Sequence, residues 1–116
     1  MIRRNGTQFS DVLAAVNKRF QGDLSFYKSI TGVFLKTTRE NIENIRHAIK
    51  NDDMEKIRFS AHYIKGGAAN IGAEEIREIA AKIESMEKDV ISVRLESLLQ
   101  AVETEMKRLN DFISGS

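Results

Sequence analysis

Ile57-Arg58-Phe59-Ser60-Ala61-His62-Tyr63-Ile64-Lys65-Gly66-Gly67-Ala68-Ala69-Asn70-Ile71 is the stretch whose periodicity decides the fold. Ile57, Ala61, Ile64, Ala68 and Ile71 recur at steps of four and three, which is the inward stripe of an amphipathic helix. Asn51-Asp52-Asp53 ahead of it reads as a turn with a helix cap, and Gly72 behind it as the closing glycine. The spacing predicts a helix over 53–71. At 100° per residue, Arg58, Phe59, Lys65, Gly66 and Ala69 fall within about 60° of His62, and the apolar stripe centres on about −140°. His62 therefore points away from the core, into a surface of small and basic residues.

Working outward, the same pattern repeats. Asp23 caps a long segment in which Leu24, Tyr27, Thr31, Phe34, Thr38, Ile42, Ile45 and Ile49 keep helical phase, predicting one helix over 23–50 that carries Gly32 inside it. Glu74-Glu75 put acid in the first turn of a further helix, where the helix dipole favours it, with Ile76, Ile79, Ala80 and Ile83 inward. Asp89 starts a last helix with Ile91, Leu95, Leu98, Val102, Met106, Leu109 and Ile113 inward. Before all of these, Ser10 or Asp11 caps a short helix with Val12, Leu13, Val16 and Phe20 inward, ended near Gly22. Long helices joined by short turns must be antiparallel neighbours. The expectation is all-α: an antiparallel up-down four-helix bundle over 9–113 with a short extra N-terminal helix, a flexible N-terminus at 1–8 and a flexible tail at 114–116.

Composition narrows the function. The chain has 116 residues, no proline and no cysteine, and 18 basic residues against 17 acidic ones. The absence of proline favours helix throughout. The absence of cysteine removes disulfides, thiol chemistry and cysteine-based zinc sites. A net charge of +1 is not the basic excess of a nucleic-acid binder. No apolar run approaches the roughly 20 residues of a membrane span, and the start has no apolar signal segment. These point to a cytoplasmic protein, or a cytoplasmic piece of a larger one, that binds neither nucleic acid nor membrane.

The histidine face carries the chemistry. On spacing alone, His62 reads either as a surface histidine beside a solvated lysine or as an imidazole built to hold a phosphoryl group. The two glycines have different jobs. Gly66 lies on the histidine side and opens access for another protein, whereas Gly67 lies near the apolar side and lets a neighbouring helix pack closely. Each costs about 1 kcal/mol of helix propensity. Phe59 and Tyr63 sit on the shoulder, either packed against the adjacent helix or forming an apolar rim. His47 reads as a surface residue, too isolated from His62 for a shared metal site.

Ala61-His62-Tyr63-Ile64-Lys65-Gly66, followed by small residues and then Gly72-Ala73, resembles the signature of histidine-containing phosphotransfer domains. Phe20-x-Gly22-Asp23 before the long helix, the Asp52 or Asp53 turn, and Ala80-x-x-Ile83-Glu84 extend the likeness over about residues 9–110. The double glycine also looks like the phosphorylated domain of chemotaxis-type histidine kinases.

The resemblance implies that His62 accepts a phosphoryl group on Nε2 from a receiver aspartate or a histidine kinase and passes it to another receiver. It implies that Lys65 neutralises phosphate charge, that Gly66 leaves room for the receiver, and that Glu84 hydrogen-bonds Nδ1. Arg58, Phe59, Tyr63, Gly66 and Ala69 form the expected docking face for response-regulator receiver domains. Such a carrier is not an enzyme, has no nucleotide site, cofactor or metal of its own, leaves Mg²⁺ to the receiver's acidic pocket, and works as a monomer. Family members often carry serine where Gly67 stands, so any contact of that hydroxyl is missing here. Two other readings fit: the substrate domain of a chemotaxis-like kinase, or an interaction bundle that carries no phosphate.

Overall fold

A computed structural model describes residues 20–115. Four helices follow one another and, among the described residues, there is no strand: α1 (Leu24–Lys50), α2 (Met54–Ile71), α3 (Glu74–Ser85) and α4 (Lys88–Ser114). Each packs on its neighbours in a closed ring, α1 on α2, α2 on α3, α3 on α4 and α4 on α1. The expected four-helix bundle is what the chain forms. The expected short N-terminal helix and flexible N-terminus lie outside the described residues, apart from the Phe20–Gly22 turn.

The caps are local. Asp23 accepts a hydrogen bond from the Phe26 N–H at 2.9 Å and starts α1. Asp53 does the same for Lys56 at 3.1 Å and starts α2. Gly72 ends α2 with φ at 78°, in the left-handed region where a side chain is disfavoured. Gly32 causes no break, and α1 runs through it. The last helix starts at Lys88 behind Glu87, which makes no side-chain cap. It includes Ser114, one residue beyond the expected bundle limit.

The core is aliphatic: Ile42, Ile45, Ile57, Ile64, Ile71, Ile76, Ile83, Ile91, Leu99 and Leu109 are all essentially sealed from solvent. Four stripe assignments need correction. Leu24 is 37% exposed rather than inward, because it opens α1 ahead of the first full turn against the core. Leu98 is half-buried, and Leu99 takes the central position. Ile49 and Ile79 are likewise half-buried at the edge of the core. Leu35, which the stripe omitted, is 2% exposed. An α1 that contacts both α2 and α4 must bury two adjacent residues, Phe34 and Leu35, where a single-stripe reading selects one.

Polar ties fix the helices relative to one another. The Tyr27 hydroxyl, fully buried, donates to the Ile71 carbonyl at 2.7 Å and so fastens α1 to the last turn of α2. Burial pushes that phenol above its ordinary pKa of 10.0, so it stays protonated and able to donate. Further along α1, the Arg46 guanidinium spans Glu96 at 2.7 Å and Glu103 at 2.9 Å, both on α4. A Tyr27→Phe variant leaves the Ile71 carbonyl buried without that donor, which costs about 1–3 kcal/mol. Thermal unfolding followed by circular dichroism is expected to show a melting temperature lower by roughly 4–8 °C per kcal/mol for a domain of this size.

Candidate functional site

His62 projects from the middle of α2 with two-thirds of its side chain exposed (67%). Its Nδ1 lies 2.7 Å from Oε2 of Glu84 in the last turn of α3. The other carboxylate oxygen, Oε1, accepts from the Lys65 ammonium. Glu84 therefore bridges the two α2 side chains that stand one turn apart. The Lys65 ammonium is the main cause holding the Glu84 carboxyl below its ordinary 4.5. Partial burial opposes that shift and the bond to His62 adds to it.

An ionised carboxylate can only accept hydrogen bonds. In the neutral ring, Nδ1 of His62 must then carry the proton and donate it, which leaves the lone pair on Nε2, on the side of the ring away from Glu84. This arrangement fixes one tautomer and presents one nucleophilic nitrogen to solvent. Among the described residues, no group of three or more His, Cys, Asp or Glu side chains stands close enough to hold a metal ion. No helix among them is long and apolar enough to cross a membrane.

The surroundings of the ring are asymmetric. On the α3 flank lie the cations: Lys65 on Glu84, and Arg58, whose guanidinium donates to the Met86 carbonyl at 3.1 Å. On the α1 flank lie the aromatics. Phe59 is 69% exposed and Tyr63 is 56% exposed, so both form a rim rather than packing on a neighbouring helix. Beside Tyr63 a groove of about 160 Å³ runs between α1 and α2, lined by Ile30, Val33, Phe34, Gly67 and Asn70 among others. The sequence reading missed the α1 half of this groove. Its signal was Val33, an apolar residue out of phase with the stripe, which is 64% exposed.

The glycines divide as their phases predict. A Cβ at Gly66 would meet nothing within 4 Å, so the space beside His62 is open. A Cβ at Gly67 would stand 2.8 Å from the Phe34 ring, inside any normal contact. Ala69 is exposed on the same face as His62. His47 is exposed near the end of α1, away from the site.

Two substitutions at adjacent positions should shift stability in opposite senses. Gly66→Ala gains up to about 1 kcal/mol of helix propensity at no steric cost. Gly67→Ala gains the same but must displace Phe34, and overpacking of about 1–3 kcal/mol outweighs it. Urea titrations are expected to give a higher midpoint for the first and a lower one for the second.

Because the Glu84 pKa is depressed in the fold, its contribution is present above the ordinary 4.5 and is lost as pH falls through the lower, folded value. A carboxyl-carbon NMR titration is expected to give a midpoint below 4.5 for Glu84, returning toward 4.5 in Lys65→Ala.

Comparison with known proteins gives a consistent family. Residues 29–112 match the family model of the Hpt domain. The chain is 33% identical over 60 residues to the phosphorelay intermediate protein YPD1 of Candida albicans, a match over 52% of this chain and 33% of that protein. The chain thus aligns with only about a third of that relative's length. Its fold is similar to the crystal structure of histidine-containing phosphotransfer protein B (HptB) from Pseudomonas aeruginosa PAO1, with a TM-score of 0.65 and 21% identity, over 90% of this chain and 88% of that one.

Proposed function

The chain belongs to the Hpt domain family, and from that premise we propose that it is a phosphorelay carrier with His62 as phosphoacceptor. The observation that carries this reading is the 2.7 Å bond from Nδ1 to Glu84, which leaves Nε2 as the outward nucleophile on an exposed ring. The similarity to a phosphorelay intermediate supports it.

The donor is a receiver aspartyl phosphate. The Nε2 lone pair attacks phosphorus, the N–P bond forms, and the P–O bond to the aspartate breaks, releasing a carboxylate. The Nδ1 proton stays on the ring, and Glu84 offsets the positive charge that the imidazole gains. Onward transfer is the same step reversed, with a second receiver aspartate as nucleophile. Such in-line transfer depends on positioning and charge stabilisation rather than on a covalent device of the protein. Lys65 screens the phosphoryl oxygens from one turn away, and its bond to Glu84 keeps its ammonium at the site beforehand.

Gly66 leaves the approach open, and the receiver docks on Phe59, Tyr63, Ala69 and Arg58. Mg²⁺ belongs to the receiver, and the carrier needs neither a nucleotide site nor a cofactor. It acts as a monomer in the cytoplasm, where receivers and their kinases meet. A chemotaxis-like kinase would use the same nitrogen, with an ATP-binding domain in place of the donor receiver.

Incubation with a phosphorylated receiver is expected to transfer an acid-labile, base-stable label to the wild-type protein and none to His62→Gln. Failure to label the wild type across a broad panel of receivers and with an ATP-bound kinase domain, or equal labelling of His62→Gln, sinks the proposal. Glu84→Ala is expected to slow transfer on the order of a hundredfold, the scale that lost orientation at a reacting centre can cost. Glu84→Gln, which keeps an oxygen acceptor but no charge, is expected to fall between the two.

A further inference from the structure

Glu84 can orient His62 only if the end of α3 is itself held still, and α3, with 12 residues, is the shortest of the four described helices. It has no glycine stop. Its C-cap is Met86, extended with ψ at 142°, whose N–H returns to the Ile83 carbonyl. Helix ends fray because their last carbonyls lack helical partners. Ile83 and Met86 are buried and anchor one side of this turn, while Glu84 and Ser85 face outward. The bonds from His62 and Lys65 both land on the Glu84 side chain, which can follow them by rotating. The Arg58 bond lands on backbone, at the Met86 carbonyl, 3.1 Å away and two residues beyond Glu84. A cation there also meets the negative end of the α3 dipole.

We infer that Arg58 is a positioning residue for phosphoryl acceptance: by pinning the Met86 carbonyl it fixes the last turn of α3, and so keeps the Glu84 carboxylate on Nδ1 of His62. The inference rests on the phosphoacceptor reading of His62 and adds to Arg58 a task other than touching the receiver. A contact made only to a receiver would leave the free protein's imidazole unchanged, whereas a positioning bond sets its tautomer before any receiver arrives.

The test is the ring-nitrogen NMR spectrum of the full chain, in which His62 and His47 report separately. Wild-type His62 is expected to be protonated at Nδ1. Arg58→Ala is expected to move the His62 ring toward the mixed tautomers of a free imidazole and leave His47 unchanged. Phosphoacceptance is expected to slow roughly tenfold, part of the roughly hundredfold that misplacement at a reacting centre can cost. Arg58→Lys, which can still reach the carbonyl, is expected to restore most of both. Ile113→Val, at the far end of α4, is the control for general loosening.

An unchanged His62 ring in Arg58→Ala overturns the inference, and so does an equal shift in Ile113→Val. The ring spectrum decides the matter without any phosphorylation. A wild type that no donor labels overturns the phosphoacceptor reading instead, whatever the spectrum gives.

Discussion

One carboxylate with two oxygens, each already committed, is the constraint around which this bundle is arranged. Glu84 gives one oxygen to an imidazole and the other to an ammonium, both from α2. For that to happen, α2 must approach α3 closely enough for three side chains to meet at the surface. The small residues Ala61 and Ala68 on the inner face of α2, both fully buried, allow it. A bulkier inner face would lift α2 off α3 and carry the imidazole away from its acceptor. The aliphatic core is therefore part of the site: it sets the spacing that the surface triad requires.

Around the triad the protein separates two kinds of recognition. The α3 flank of His62 is ionic, with its charged groups bonded to one another or to backbone. The α1 flank is apolar, with Phe59 exposed and Tyr63 exposed at the edge of an open groove. Exposed aromatics beside a groove desolvate readily and bury large area on contact. Paired charges keep their geometry without a partner. The apolar surface and the ionic cluster thus stand on different sides of the ring.

Much of this was legible in the sequence, for physical reasons that can be named. Helix caps are local, so Asp23, Asp53 and Gly72 marked helix limits that the structure keeps. Outward orientation is a matter of phase, so the exposure of His62 and the different surroundings of Gly66 and Gly67 followed from angle alone. Glu84 is different. Nothing in its spacing ties it to His62, and only the likeness to the family singled it out. What stayed hidden depends on how helices meet. Burial of Leu35 and Leu99 beside expected core residues reflects contact with two neighbours at once, which a single-stripe reading does not capture. The Arg58–Met86 bond and the span of Arg46 onto Glu96 and Glu103 join residues 28, 50 and 57 positions apart. No periodicity carries such pairings, because long flexible side chains choose among several partners only once the backbone is set.

The contact between Gly67 and Phe34 reaches beyond its effect on packing. A β-carbon at 67 has no room while a phenyl ring occupies its present position. Phe34 also lines the groove beside Tyr63. The two positions are therefore coupled: a side chain at 67 makes the ring at 34 turn or favours a smaller residue there. A substitution on the inner flank of the histidine helix thus becomes a change in the shape of the outer groove.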